Sequence, residues 1–336
     1  MGQTASKIGV IGGGAWGTAL AALMRSEGAE VALWAREPEV VESINRHHRN
    51  VKFLPDVALD AHLRATCDLA EAAAADVLLL VSPAQHLRSV CRQMAAAPVS
   101  AGNPALVICS KGIEKTTAAL MSEVVAAELP DWPLAVLSGP TLAHEVAQGL
   151  PTAVTLACGD RKLGHHLAEQ FGRPHFRCYY SPDVIGAQIG GALKNVIALG
   201  CGIVRGRRLG ENAGAAFLTR GFAEMIRLGL AKGAMPETLM GLSGMGDLVL
   251  TCHAERSRNM SLGLALGQGE QLDDLLGSRQ TVAEGVATAE AVVALAENLG
   301  VDMPISAGIN AILHHQASID SVMRSLLARP VPNEWP

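Results

Sequence analysis

One lysine in this sequence is almost free of charged neighbours. Between Asp183 and Arg205, Lys194 is the only charged residue. A lysine amine in apolar surroundings can donate a proton to an oxygen atom on which negative charge develops during a reaction. The segment is also about as long as a membrane span, which needs ~20 mostly apolar residues. Its length and composition therefore allow two interpretations, a transmembrane helix and a buried helix with a reactive amine.

The membrane interpretation is the weaker of the two. In a bilayer Gln188, Lys194 and Asn195 would face lipid or another helix, and a lysine alone costs about 2.5 to 3.5 kcal/mol at mid-bilayer. A lone lysine in an apolar helix is more often a surface residue whose charged end reaches water, so a reactive role needs support from other motifs. Small residues recur around it at helical spacing and predict an open slot for a ligand: Ala187, Gly190, Gly191 and Ala198.

Three glycines near the amino terminus have the spacing of a dinucleotide-binding loop. Gly12, Gly14 and Gly17 form G-x-G-x-x-G, in which glycine allows a tight turn, backbone access to a pyrophosphate, and close packing of helix on strand. They follow a strand predicted at residues 8–11 and open a helix predicted at about 15–26, with a second strand at 31–34. Because this βαβ context makes the pattern specific, it predicts a bound dinucleotide.

The end of the second predicted strand indicates which dinucleotide is preferred. Sites that prefer NADH usually carry an acidic residue there, which binds the 2′-hydroxyl of the ribose. This chain has Arg36 at about that position, and a guanidinium group suits a 2′-phosphate. NADPH is therefore the expected cofactor, while the neighbouring Glu37 leaves a route to NADH.

Polar residues also gather at the ends of other apolar segments, where an open α/β sheet has its ligand crevice. The four stretches are "CSKGIE" around Lys111, "SGPTLAHEVAQGLPTAV" around Gly139 and Thr141, "LKNVIAL" around Lys194, and "GLSGMGDLVLTCHAERSRNMSLG" with Asp247. Gly139 ends a predicted strand, and the helix predicted after it can offer backbone N–H groups to an anion. These stretches are expected to form one site.

With these stretches the chain resembles the bacterial-type NAD(P)-dependent glycerol-3-phosphate dehydrogenases over nearly its whole length. The matching segments occur in order as GGGAWG, SKGIE, SGP-x-x-A-x-EVA-x-G-x-PTAV, LKN, GLSGMGDLVLTC, SRN, AEGVATAEAV and MPI. The resemblance implies an oxidoreductase that interconverts dihydroxyacetone phosphate and sn-glycerol 3-phosphate for phospholipid synthesis. Its partner is then a small phosphorylated triose or glycerol.

The resemblance also implies roles for single residues. The catalytic positions are matched by Lys194 as the proton-transferring lysine, by Lys111 near both substrate and nicotinamide, and by Asp247. The substrate positions are matched by Lys111, Gly139, Thr141, Lys194, Asp247, Ser257, Arg258 and Asn259. The cofactor positions are matched by Gly12, Gly14, Ala15, Trp16, Gly17, Arg36, Lys111, Ala143, Arg258, Val282 and Glu284.

The chemistry of these residue types agrees with the implied roles. Asp247 is expected to hold the ammonium of Lys194 or to accept from a substrate hydroxyl, and Arg258 offers a planar fork to a phosphate. Two positions depart from the family. Thr141 stands where serine is common and keeps the hydroxyl, and Met260 stands where a basic residue is frequent, which bears on secondary phosphate contacts.

The elements that must position these residues divide the chain in two. Strands are predicted at "VLLLVS", "ALVICS", "LAVLSGP" and "TAVTLAC", with helix-length segments between them, which indicates a mostly parallel sheet covered on both faces. After about Tyr180, Ala/Leu/Gly-rich helical segments follow, broken by "GRRLGENAG" and "SGMGDLVLTCHAERSRN". We therefore predict an α/β dinucleotide-binding (Rossmann-type) domain at 1–180 and an all-α substrate-binding and catalytic domain at 181–336.

Composition excludes several classes of function. A net charge of -5 without a basic face argues against nucleic-acid binding. The seven cysteines form no CxxC pair and the histidines form adjacent pairs, so no metal site is expected. Because the cysteines are scattered in apolar runs and the first residues lack a secretory signal pattern, a reducing, cytoplasmic location is expected. The apolar helical half suggests a homodimer.

Two other functions share part of this pattern. A β-hydroxyacid dehydrogenase also joins a dinucleotide domain to a helical one and uses a helix lysine, but it gives no reason for "SGMGDLVLTC" and "SRN". A non-catalytic NADPH-sensing protein would keep the glycine loop but has no need of Lys194 and Arg258.

Overall fold

A computed structural model describes residues 7–26, 28–96, 103–254, 256–278 and 283–330. Its first half is built on an eight-stranded sheet with the order β3-β2-β1-β4-β5-β6-β7-β8. Among the strands in the described ranges, only β6 and β7 pair in antiparallel fashion, so the predicted mostly parallel sheet is confirmed. The strands are β1 Lys7–Ile11, β2 Glu30–Trp34, β3 Arg64–Thr66, β4 Val77–Leu80, β5 Ala105–Ile108, β6 Leu134–Ser138, β7 Thr152–Ala157 and β8 Phe176–Ser181.

Helices cover both faces of this sheet because its central strands are apolar on both sides. Along β4, Val77 and Leu79 belong to one core, while Leu78 and Leu80 belong to the core on the opposite face. Alternation of this kind follows from the two-residue period of a strand. The helices of this half are α1 Ala15–Arg25, α2 Pro38–His47, α3 Leu69–Ala73, α4 Leu87–Ala96, α5 Met121–Glu128, α6 Ala143–Ala147 and α7 Arg161–Phe171, with a 3₁₀ turn at Ala84–His86.

The described residues after β8 are helical, as predicted. In addition to the two cores on the faces of the sheet, these helices form a core of their own, which is centred on α8. These helices are α8 Val184–Gly206, α9 Glu211–Lys232, α10 Pro236–Met240, α11 Asp247–His253, α12 Arg258–Gln268, α13 Leu272–Ser278, α14 Glu284–Leu299, α15 Pro304–His314 and α16 Ile319–Leu327, with a π-helical turn at Leu242–Gly246.

The long apolar helix α8 is a core helix. Within the described ranges it alone is long and apolar enough to cross a membrane, and 89% of its apolar window is buried inside the fold. It packs against β6 and against α9, α11, α12 and α14, so protein surrounds it on nearly every side. The segment between Asp183 and Arg205, in which Lys194 is the only charged residue, is therefore a buried helix of the protein core.

The predicted open slot around Lys194 is wrong, because protein fills it. A Cβ added at Gly190 would lie 2.3 Å from the carbonyl oxygen of Ser243, and one at Gly191 would lie 2.8 Å from the hydroxyl of Ser138. Ala187 and Ala198 are fully buried. Small residues on α8 therefore let neighbouring backbone approach the helix closely, rather than admitting a ligand.

Two strands and one helical segment differ from the sequence-based prediction. The short strand β3 and the strand β8 were not predicted, and β8 has only Phe176 fully buried. The stretch from Ser243 to Asn259 was predicted as a break, but its described residues are mostly helical and include most of the π-helical turn and all of α11. Asp247 is thus the first residue of a helix and is completely buried.

Candidate active site

The carboxyl ends of the parallel strands meet α8 at one edge of the sheet. Lys111 follows β5 by three residues and Gly139 follows β6 directly, while Lys194 projects from the middle of α8. Asp247 arrives from α11, which packs against α8. Parallel strands place their carboxyl ends at the same edge, which is where open α/β sheets bind ligands.

A buried carboxylate holds two lysines together at this edge. The Lys194 Nζ atom donates to Asp247 Oδ1 at 2.5 Å, and Lys111 Nζ donates to Oδ2 of the same carboxylate at 2.7 Å. Asp247 is 0% exposed and Lys194 is 7% exposed. Thr251 lies one turn further along α11 and donates its hydroxyl to the Asp247 carbonyl at 2.6 Å, with Oδ1 at 3.3 Å. With both lysines protonated, the cluster carries an excess positive charge that suits an anionic ligand.

The environment of Lys194 favours proton transfer near neutral pH. Burial and the charge of nearby Lys111 lower the pKa of Lys194, whereas Asp247 raises it; together they place it at about 8, below the usual value near 10.5. Acids and bases act best when their pKa lies near the working pH. Lys194 is therefore placed to hold a proton and to release it without a large free-energy penalty.

Both the amine and the aliphatic chain of Lys111 contact protein. Its Nζ also donates to the Gly139 carbonyl at 2.8 Å and to Thr141 Oγ1 at 3.2 Å. Gly139 has a φ of 146°, a backbone conformation that favours glycine. A Cβ at Gly191 would lie 3.5 Å from Lys111 Cγ and closer still to Ser138, so a glycine lets the lysine chain cross α8.

Hydrogen bonds of two asparagine side chains join α8 to α12 and α14. Asn259 Nδ2 donates to Asn195 Oδ1 at 2.9 Å, and Asn259 Oδ1 accepts from the Gly285 N–H at 3.0 Å. Asn195 also lies near the Lys111 carbonyl, with Nδ2 at 3.4 Å. The side chain of Asn259, predicted as a substrate contact, is thus engaged with protein. Asn195 and Thr251 were not among the predicted site residues, although the LKN and LTC stretches contain them.

The amino termini of α12 and α14 meet beside the lysines. Ser257 caps α12 by accepting from the Met260 N–H at 3.3 Å, and exposed Arg258 is the first residue of that helix. Glu284 begins α14. Burial raises the pKa of Glu284, whereas the charge of Arg258 and the Ala84 N–H lower it. The buried Glu284 Oε2 has no hydrogen-bond partner in the described part of the chain.

The glycine loop has the geometry that the spacing predicts. Gly12 has a φ of 134°, and a Cβ at Gly17 would lie 1.8 Å from the Gly12 carbonyl oxygen, so helix and strand approach as closely as glycine allows. A Cβ at Gly14, which precedes α1, would meet no atom within 4 Å. Open space in front of a helix N-terminus suits a pyrophosphate.

Other predicted cofactor residues are arranged around the same edge. Ala15 begins α1, and the buried indole Nε1 of Trp16 has no partner among the described residues. Arg36 follows β2, its side chain is 75% exposed, and its Nη2 pairs with Glu37 Oε1 at 3.0 Å. Ala143 begins α6, after β6. The orphaned indole and the open glycine loop fit a bound dinucleotide. The predicted contact Val282 lies outside the described residues.

The remaining candidates for chemistry are the cysteines and groups of side chains that could bind a metal ion. All seven cysteines are free, and five are buried: Cys91, Cys109, Cys158, Cys201 and Cys252. Within the described ranges, no group of three His, Cys, Asp or Glu side chains could hold a metal ion.

Comparison with known proteins identifies the family. The models for the N-terminus and C-terminus of NAD-dependent glycerol-3-phosphate dehydrogenase match residues 7–164 and 183–324. The chain is 56% identical to the glycerol-3-phosphate dehydrogenase [NAD(P)+] of Rhodospirillum rubrum, covering 98% of this chain and 95% of the relative. It is 54% identical to that of Parvibaculum lavamentivorans, covering 98% of both chains. The crystal structure of glycerol-3-phosphate dehydrogenase from Coxiella burnetii matches with a TM-score of 0.92 at 37% identity, covering 96% and 99% of the two chains. This chain belongs to the NAD-dependent glycerol-3-phosphate dehydrogenase family.

Proposed function

We propose that this protein transfers a hydride between NAD(P)H and dihydroxyacetone phosphate, giving sn-glycerol 3-phosphate for phospholipid synthesis. The observation that carries this proposal is the buried Lys194–Asp247–Lys111 cluster, which lies at the ligand-binding edge of a dinucleotide fold. Its family and its closely similar relatives have the same activity in their names.

The residues of the site suit each part of that reaction. The bound nicotinamide supplies the hydride. Lys194 donates its proton to the substrate carbonyl oxygen as that oxygen gains negative charge, and it takes the proton back in the oxidation direction. Asp247 keeps the two ammonium groups in place, and Lys111 adds positive charge beside the same oxygen. Arg258, exposed at the start of α12, is placed to bind the substrate phosphate with its planar fork.

The dinucleotide is proposed to bind along the glycine loop. Gly12, Gly14 and Gly17 admit the pyrophosphate, and Trp16 and Glu284 offer polar atoms that have no partner among the described residues. Arg36 favours the 2′-phosphate of NADPH, so we propose that NADPH is preferred over NADH.

The wider organisation is part of the same proposal. Residues 1–180 form the cofactor domain and 181–336 the substrate domain, with β8 ending at Ser181 and α8 beginning at Val184. Seven free cysteines and the burial of α8 support a cytoplasmic location. Exposed apolar side chains on the helical half support a homodimer, and sedimentation velocity would test it: Leu230, Met235, Met240 and Val249.

A substrate comparison tests the proposed function. The loss of NADPH absorbance is followed with dihydroxyacetone phosphate and, separately, with a series of 3-oxo acids. Turnover with dihydroxyacetone phosphate alone is the expected result. Turnover with only a 3-oxo acid would assign the chain to β-hydroxyacid chemistry, and NADPH binding without turnover on any substrate would favour a sensor.

A further inference from the structure

The loop that carries Lys111 has little regular structure of its own. After β5 ends at Ile108, residues 109–112 belong to neither a helix nor a strand. Lys111 must nevertheless reach Asp247, Gly139 and Thr141 at hydrogen-bond distances. The accuracy with which its amine is placed therefore depends on what holds the backbone just after it.

Side chains from the 3₁₀ turn at Ala84–His86, and from α4 directly after it, hold that backbone. The Gln85 amide donates to the Ile113 carbonyl at 2.8 Å and accepts from the Lys115 N–H at 2.9 Å. Gln85 thus hydrogen-bonds on both sides of Glu114. In addition, a Cβ at Gly112 would lie 2.6 Å from the Ala84 Cβ, so the two segments are in close contact next to Lys111.

A bidentate ion pair fixes Glu114 itself. Arg88 Nε and Nη2 donate to the two oxygens of Glu114, both at 2.7 Å, and Thr117 Oγ1 donates to Oε2 at 2.5 Å. The Glu114 side chain is 8% exposed. Its hydrogen bonds from Arg88 lower the pKa of Glu114, which keeps the carboxylate ionised. Bidentate pairs of this kind set geometry more strictly than single contacts do.

The outer part of the same network is anchored to α5. Arg88 Nη1 donates to Glu128 Oε1 at 2.6 Å, and exposed Arg92 pairs with Glu128 Oε2 at 3.0 Å. Among the described residues, Arg92 hydrogen-bonds to Glu128 and to no residue of the Lys111 loop. It therefore offers a matched control, because changing it alters the network without touching the loop.

We propose that Gln85, Arg88 and Glu114 form a clamp that positions Lys111 for the reaction. None of the three side chains contacts the lysine amine or Asp247, so their effect reaches the site through the backbone of residues 111–115. Because a displacement of about 1 Å can cost an enzyme ~10²-fold in rate, a loosened clamp should slow turnover. The clamp rests on the proposed function, since Lys111 matters only if it acts on the substrate.

The test combines kinetics with a measurement that needs no turnover. Glu114→Gln keeps the size of the side chain and removes its charge, and Gln85→Met is a second, independent variant. We expect kcat with dihydroxyacetone phosphate to fall at least ~10-fold in both, with the NADPH dissociation constant unchanged. Arg92→Ala should retain wild-type kcat. Hydrogen exchange in residues 109–118 should be faster in the two clamp variants and unchanged in the control.

A double-mutant cycle separates positioning from general destabilisation. In a Lys111→Met background, adding Glu114→Gln should change the residual kcat by less than about two-fold, because the lysine through which the clamp acts is absent. Equal losses from Glu114→Gln in both backgrounds would overturn the clamp, as would unchanged hydrogen exchange. A wild type that does not reduce dihydroxyacetone phosphate would instead contradict the proposed function. An active wild type with full turnover in both clamp variants contradicts the clamp alone.

Discussion

At the scale of residues, the site depends on one carboxylate shared by two amines. Asp247 is completely buried, and burial of a charge is tolerated only when partners neutralise it. Lys194 and Lys111 provide that neutralisation and are in turn held in place. The types of these three residues, and their membership of one site, could be predicted from local motifs. The contact between Asp247 and Lys194 was one of two roles expected for this carboxylate. The simultaneous contact with Lys111 was not expected, because 136 residues separate Lys111 from Asp247.

The lowered pKa of Lys194 predicts opposite pH profiles for the two reaction directions. Reduction needs the protonated amine, so kcat/KM for dihydroxyacetone phosphate should fall as pH rises through about 8. Oxidation of glycerol 3-phosphate needs the neutral amine, so its kcat/KM should rise over the same range. Both profiles are measured on the wild type. Profiles that move in the same direction near pH 8 would show that Lys194 is not the group that exchanges the proton.

Arg258→Ala is predicted to weaken the binding of phosphorylated substrate specifically. Truncating one partner of a charge-assisted pair costs about 2 to 5 kcal/mol, so the KM for dihydroxyacetone phosphate should rise strongly. Dihydroxyacetone, which has no phosphate, should be used about as before. Exposed Arg256, two residues earlier, gives a control, and Arg256→Ala should change neither substrate. Equal losses on both substrates in Arg258→Ala would make Arg258 a structural residue.

Cofactor choice is predicted to depend on Arg36. Its ion pair with Glu37 is largely exposed, and such pairs contribute only about 0 to 1 kcal/mol, so a 2′-phosphate can compete for the guanidinium. Arg36→Asp should raise the KM for NADPH about ten-fold, equivalent to about 1.4 kcal/mol, and leave or improve the use of NADH. Saturation curves with each cofactor measure this. An equal rise in KM for NADH and NADPH would show instead that Arg36 contacts the adenine or has a structural role.

At the scale of elements, glycine allows helices to touch where larger residues would separate them. A Cβ at Gly202 of α8 would lie 2.3 Å from the Met260 carbonyl oxygen, and one at Gly263 of α12 would lie 2.0 Å from the Leu199 carbonyl oxygen. These glycines let α8 and α12 pack closely together. The two helices carry Lys194 and Arg258 to the same edge of the sheet. Sequence spacing alone does not show whether a small residue faces a ligand or a neighbouring backbone. For this reason the predicted slot around Lys194 was wrong.

Elements with strong apolar runs were predicted, and elements without them were not. Most residues of β1, β4, β5 and β6 are Val, Leu or Ile. In contrast, β8 lies at the edge of the sheet and exposes Arg177 and Tyr179 to solvent. β3 has only three residues. The break predicted from Ser243 onward contains Gly244 and Gly246, but packing against α8 holds both glycines in a helical turn.

A pair of glycine substitutions tests the role of close packing. Gly190→Ala would place a Cβ 2.3 Å from the Ser243 carbonyl oxygen, so it should lower the free energy of unfolding by about 1 to 3 kcal/mol. It should also reduce turnover, because Ser243 lies in the turn that leads to Asp247. Gly214→Ala in α9 meets no atom within 4 Å and should raise the free energy of unfolding by up to about 1 kcal/mol. Equilibrium unfolding in urea measures both, and equal effects would contradict this account of α8.

At the scale of the whole molecule, α8 forms the interface between the α/β half and the helical half. It packs against β6 of the sheet and against the helices that carry Asp247, Arg258 and Glu284. An α/β half followed by a helical half could be predicted, because near-continuous apolar strands give way to Ala/Leu/Gly-rich segments near residue 180. The helical packing around α8 could not, since it depends on contacts between residues far apart in the chain.

Lys194 is proposed to transfer the proton when dihydroxyacetone phosphate is reduced. The most direct measurement is kcat for NADPH oxidation with saturating dihydroxyacetone phosphate, compared between the wild type and Lys194→Met. Methionine keeps the length of the side chain and removes the amine, so folding and NADPH binding should be retained while kcat falls at least ~10²-fold. Lys162→Met, at an exposed position of α7, should behave as the wild type. Near-normal turnover in a folded, NADPH-binding Lys194→Met protein would contradict this role of Lys194.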